Sequence, residues 1–147
     1  MNAYYALTTK LYDLLLADED IHTVTKGGII DLDKKNVFGL AHINVVSAIP
    51  STSTITFSVS IIAADLRNIS NVQSTEKFIG HDNEDDNLNS MMYVLIRLYL
   101  ELHKQEEDYD ILTPPTLTPF IEDHGNITDG WHAVFEIEAP IGDVSSC

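Results

Sequence analysis

The chain has 147 residues, 44% of them hydrophobic, with 8 basic against 23 acidic side chains and a formal charge of −15. That length fits one domain with enough apolar material for a core. The acidity excludes nucleic-acid binding through a basic patch, because such a surface repels phosphates. Acidity of this kind suits a wall past which DNA must slide, or simply a soluble protein. The lone cysteine, Cys147, is the last residue, so no internal disulfide and no oxidising compartment are implied. Met1–Tyr5 lacks the basic-then-apolar pattern of a secretion signal, and no apolar run is long enough to span a bilayer. The expected location is a cytoplasm, or a particle assembled in one.

Tyr4, Leu7, Leu11, Leu14 and Leu15 share one helical stripe, which predicts an amphipathic helix over residues 3–17. Asp18-Glu19-Asp20 ends it, since acids oppose the helix dipole there. Ile21–Lys26 reads as a short strand broken by Gly27-Gly28. Ile29–Phe38 reads as a second short strand or an extended arm with a turn at Asp31–Lys35.

Residues 40–66 read as a long β-hairpin. In its second arm Ile55, Phe57, Val59, Ile61 and Ala63 alternate with Thr54, Thr56, Ser58 and Ser60, so one face is buried and the other carries small hydroxyls. Its turn is Pro50-Ser51-Thr52-Ser53. Residues 67–81 read as irregular. After the acidic run Asp82–Asp86, Leu88, Met91, Met92, Leu95, Leu98, Tyr99 and Leu102 predict a second helix over residues 85–105, with acids at the favourable end of its dipole.

Glu106, Glu107, Asp108 and Asp110 read as a solvated exit loop, and Thr113-Pro114-Pro115-Thr116 can be neither helix nor central strand. Leu117–Glu122 reads as an edge strand carrying Pro119. Asp129-Gly130 reads as part of a turn region. Trp131, Ala133, Phe135 and Ile137 then alternate with polar residues in a last strand ended by Pro140. The expected fold is one α+β domain over residues 1–147. Its mainly antiparallel sheet bears the two helices, and a frayed tail begins near residue 141.

No catalytic, cofactor or metal site emerges. Counted from Asp82, a calcium loop needs glycine at its sixth place and glutamate at its twelfth, but Asn87 and Tyr93 stand there. The six histidines form no helical zinc pair, and no nucleophile elbow or phosphate loop occurs. Trp131 is read as a core anchor, with an interface anchor as the alternative.

The pattern resembles the tail-completion and tail-terminator proteins of tailed bacteriophages. The resemblance rests on Val37-Phe38-Gly39-Leu40-Ala41-His42-Ile43-Asn44-Val45, Gly80-His81-Asp82-Asn83-Glu84, Pro119-Phe120 and Gly130-Trp131-His132-Ala133-Val134-Phe135, and it covers nearly the whole chain. It is similar to small virion proteins from phages and prophages of Bacteroidetes-type hosts. The resemblance implies a virion structural protein, assembled in the host cytoplasm. It would form a homo-oligomeric ring of six, or alternatively twelve, copies at the head–tail junction or the tail-tube end. Its partners would be other head–tail or tail-tube proteins, with DNA passing nearby unbound and no membrane involved. The resemblance brings no catalytic residues.

On this expectation Asp82, Glu84, Asp85 and Asp86 are candidates for the channel wall or a subunit contact. Pro50, Ser51, Thr52 and Ser53 are the candidate tip for docking on a neighbouring ring. Two rival classes stand beside it. An acidic cytoplasmic adaptor or chaperone would bind a basic partner in a salt-sensitive way. A small hydrolase would gather His81, His124 and nearby acids into a pocket.

Overall fold

The computed structural model describes residues 2–28, 38–67, 84–104, 108–123 and 127–142. It is a single α+β domain with two helices and a six-stranded mixed sheet, in the order α1 (Ala3–Leu16), β1 (Thr23–Lys26), β2 (Leu40–Pro50), β3 (Thr54–Leu66), α2 (Glu84–His103), β4 (Asp110–Thr113), β5 (Leu117–Asp123) and β6 (Ile127–Pro140). Residues 29–37 of the expected arm, residues 68–81 of the stretch expected to be irregular, Asp82 and Asn83, and residues 143–147 of the expected tail lie outside the described residues.

The sheet runs β1-β2-β3-β6-β4, with β5 also on β6. β1 is parallel to β2; the other pairings are antiparallel. β3 is therefore central, with β2 and β6 on its two sides. β4 and β5 share the outer side of β6. They amount to one long edge strand interrupted at Pro114-Pro115, where a missing N–H and a fixed φ break the ladder.

One face of the sheet makes the core. Phe57, Val59, Ile61 and Ala63 of β3 and Ala133, Phe135, Ile137 and Ala139 of β6 meet Leu7, Leu11 and Leu15 of α1 and Met91, Leu95, Leu98 and Leu102 of α2. This is the face the alternation of β3 predicts. Asn2 caps α1 by accepting the Tyr5 N–H at 3.2 Å, and Glu84, Asp85 and Asp86 fill the first turn of α2.

Three expectations need correcting. The last strand begins at Ile127, so Asp129-Gly130 lies inside it, opposite Asp65-Ala64 of β3. The exit loop after α2 gives way to a strand at Asp110, whose partner across the ladder is Glu138. Tyr4 is 41% exposed and does not join the buried stripe of α1.

The two glycines in contact-rich positions allow close approaches. A Cβ on Gly39 would strike the Asp20 carbonyl oxygen, and one on Gly130 would strike the Ala63 carbonyl oxygen. Beyond Gly130, on the face away from the helices, Phe120 packs with Phe38, Leu40, Ile62 and Ala64 in a second small apolar cluster.

Candidate functional site

The candidate residues fall at opposite ends of the sheet. The hairpin tip lies where Thr54 pairs with Pro140; the acids of α2 lie near Leu66 and Thr128. β3 spans 13 residues between these ends, about 40 Å at 3.3 Å per residue. The structure therefore does not bring the two candidate groups together.

At the tip, Pro50, Ser51, Thr52 and Ser53 are all exposed. The turn is held by the Ser51 N–H donating to the Thr54 carbonyl at 2.8 Å, and by a 3.0 Å contact between the two hydroxyls. The Ile141 N–H donates to the Ser53 carbonyl at 3.1 Å, so the end of β6 braces the tip. Just behind it, Val46 and Ile49 are 61% and 69% exposed. Apolar side chains that open to water at a braced hairpin end suit contact with another surface.

At the other end the acids divide. Asp82 lies outside the described residues. Glu84 is half-buried and pairs with Arg67 at 3.2 Å, so it serves an internal ion network. Asp85 and Asp86 are exposed on the first turn of α2. The network continues inward: Arg67 donates to both carboxylate oxygens of the fully buried Asp129, from Nη2 at 2.6 Å and Nε at 3.1 Å. Asn87 Nδ2 donates to Asp129 at 3.2 Å and to the Leu66 carbonyl at 2.9 Å. This cluster ties the ends of β3 and β6 to the start of α2. The sequence offered no signal for it, because Arg67, Asn87 and Asp129 are far apart along the chain.

Trp131 is an internal anchor. It packs against the core, and its Nε1–H donates to the Leu88 carbonyl of α2 at 2.7 Å.

Two of the described histidines, His42 and His132, have structural partners. His42 is buried; its Nε2 lies 2.8 Å from the Gly27 carbonyl and its Nδ1 2.7 Å from the Thr25 hydroxyl. The carbonyl can only accept, so Nε2 carries a proton and the ring joins β1 to β2. On the face away from the helices, the Ser60 hydroxyl lies 2.7 Å from His132 Nε2, and the Ser58 hydroxyl donates to Glu136 at 2.7 Å.

A serine–histidine contact is part of a nucleophile–base pair, but acyl transfer also needs free N–H groups for an oxyanion. β3 is flanked on both sides by paired strands, so its amides beside Ser60 belong to the ladders. These bonds therefore stitch β3 to β6. Among the described residues, no three His, Cys, Asp or Glu stand together as a metal site, and no helix is long and apolar enough to cross a membrane. His81 and His124 lie outside the described residues.

Arg97 of α2 makes a second ionic tie. It donates to Asp18 at 2.7 and 2.8 Å and to Asp20 at 2.8 Å, fastening the loop after α1. Burial alone would push the Asp18 carboxyl up, but the bonds from Arg97 and the Asp20 N–H outweigh it and hold the carboxyl below its usual range. The folded state therefore binds this proton less readily than the unfolded chain does. The resulting stability is present above about pH 4, the ordinary aspartate value, and is lost as pH falls through the lowered folded value. Asp18→Asn should lower stability at pH 7 by no more than about 1 kcal/mol, as the pair is partly solvated, and the loss should shrink as pH falls below about 4. Urea melts at about pH 7 and at a series of pH values below about 4 test this; a loss that does not change with pH would remove the ionic explanation.

Asp65 behaves oppositely. Burial raises its carboxyl value, only partly countered by the Leu66 N–H and by His22, so ionising it costs the fold stability as pH rises.

Comparison with protein-family models and with curated proteins gives no match to this chain.

Proposed function

We propose that this chain is a structural protein that self-assembles into a ring of the tail-terminator or tail-completion type, at the head–tail junction or tail-tube end of a tailed phage. The observation that carries the reading is the charge pattern of the sheet. From Asn36 to Ala64 no residue is charged, although the chain carries 23 acids. That interval includes the whole of β2 and its exposed tip. β2 to β6 contain no lysine or arginine. Toward the tip, the face away from the helices carries Thr54, Thr56, Ser58 and Ser60 and the acids Glu136 and Glu138, while the apolar cluster around Phe120 occupies its other end. Such a face does not hold phosphates, while an uncharged apolar tip gives an acidic protein a place where copies or neighbours can approach.

The test is the mass of the purified protein by light scattering across a wide concentration range, with electron-microscope images of the same peak. Closed rings with a channel wide enough for a DNA duplex are expected. A mass fixed at one chain throughout would sink self-assembly.

A further inference from the structure

The register of the sheet places two open edges at one level. Near the tip the rows run Ile49–Thr56–Glu138–Asp110 and Ala48–Phe57–Ile137–Ile111. At this end the sheet is four strands wide, from β2 to β4. β1 covers β2 only as far as Ile43, and β5 lies further along β6. Among the described residues no strand pairs with the outer side of β2 beyond Ile43, nor with the outer side of β4.

We infer that the edge Asn44–Ile49 of one copy pairs with β4 of a second copy, so that the sheet continues from subunit to subunit. This rests on the self-assembly reading above. Three observations carry it. First, direction fits: β2 and β6 point one way and β3 and β4 the other, so joining β2 to the next copy's β4 preserves the antiparallel alternation.

Second, charge fits. Soluble proteins usually guard an open edge with a charge or a proline. Asn44–Ile49 has neither; β4 begins with the exposed Asp110, but Ile111, Leu112 and Thr113 are uncharged and the prolines come only beyond Thr113, so a single carboxylate would face an uncharged edge. In a chain of charge −15, these are edges at which two copies can meet without opposing carboxylates. Third, each edge carries a bulge, at Val46 and at Leu112, and both bulged side chains are exposed apolar groups, 61% and 48%. Bulges add the twist that a closing sheet needs. The two edges are different surfaces, so the contact is head-to-tail and propagates into a ring when the rotation closes.

The full chain tests this through Ser47→Cys with Thr113→Cys in a Cys147→Ser background. Both residues lie in one row, with Ser58 and Glu136 between them. Three strand spacings, about 14 Å, separate them within a copy, beyond the reach of an internal disulfide. On mild oxidation the double variant should run as a covalent ladder of multimers, and neither single variant should cross-link. Ile49→Glu, at a 69% exposed site in the row that ends on Asp110, sets like charges against each other at the junction; it should stay folded by circular dichroism yet lose most of its oligomer.

Rings that form without any ladder and survive Ile49→Glu would overturn this junction and leave the ring itself standing. Dimers from Ser47→Cys alone would overturn it too, as they require a symmetric contact. A wild-type protein that stays monomeric would remove both the junction and the reading it rests on.

Discussion

Asp129→Ala should cost about 3–5 kcal/mol of unfolding free energy, the usual penalty for leaving a buried charge without its partner. Asp129 is fully buried and accepts three hydrogen bonds, two from Arg67 and one from Asn87. The Arg67 side chain is 9% exposed, so water cannot fully replace the lost carboxylate; Glu84, at 3.2 Å, remains as a weaker partner. The loss should appear in urea as a lower midpoint with an unchanged slope. Arg67→Met combined with Asp129→Leu and Glu84→Gln should cost less than Asp129→Ala, because no member of the network is then left charged without its partner. A loss under about 1 kcal/mol for Asp129→Ala would mean that Arg67 finds solvent or Glu84 without penalty. The network fastens β3, β6 and α2 at the end of the sheet away from the exposed tip. The tip can then offer an open edge while the far end holds the strands in register.

Local periodicity made much of this fold legible. The alternation in Thr54–Ala63 names the buried face of β3 residue by residue, and the stripe from Met91 to Leu102 names the packed side of α2. β4 was hidden because Asp110-Ile111-Leu112-Thr113 is short, begins with an acid and runs into two prolines; only its pairing with β6 makes it a strand. Parallel β1 carries no mark of its partner in its own four residues. Asp129-Gly130 has the composition of a turn, yet the pull of a long ladder along β3 outweighs local preference. Of the candidate site, the turn chemistry of Pro50–Ser53 and the absence of charge around it could be read directly. The role of Glu84 could not, because the sequence does not say that Arg67 comes within reach of it.

Gly130→Ala should destabilise the protein by about 3 kcal/mol, the upper end of what overpacking usually costs. Gly130 is not a turn residue; it sits mid-ladder opposite Ala64, and glycine is needed there for space. A Cβ would collide with the Ala63 carbonyl oxygen and stand 2.9 Å from both Ala64 Cα and Phe120 Cζ. Phe120 could turn aside, but the other two atoms are backbone of the central strand. Moving them disturbs ladders on both sides of β3. The neighbours make the position stricter still: Asp129 is held in the buried ion network and Trp131 is tied to α2, so the segment between them cannot slide. Thermal unfolding should fall by roughly 10 °C for a chain of this size. Gly28→Ala is the control, since nothing lies within 4 Å of a Cβ there, and it should stay within about 0.5 kcal/mol of wild type. Should Gly130→Ala unfold with the wild-type midpoint, the approach of β3 to β6 at this row would be adjustable, and the small apolar cluster around Phe120 would not depend on it.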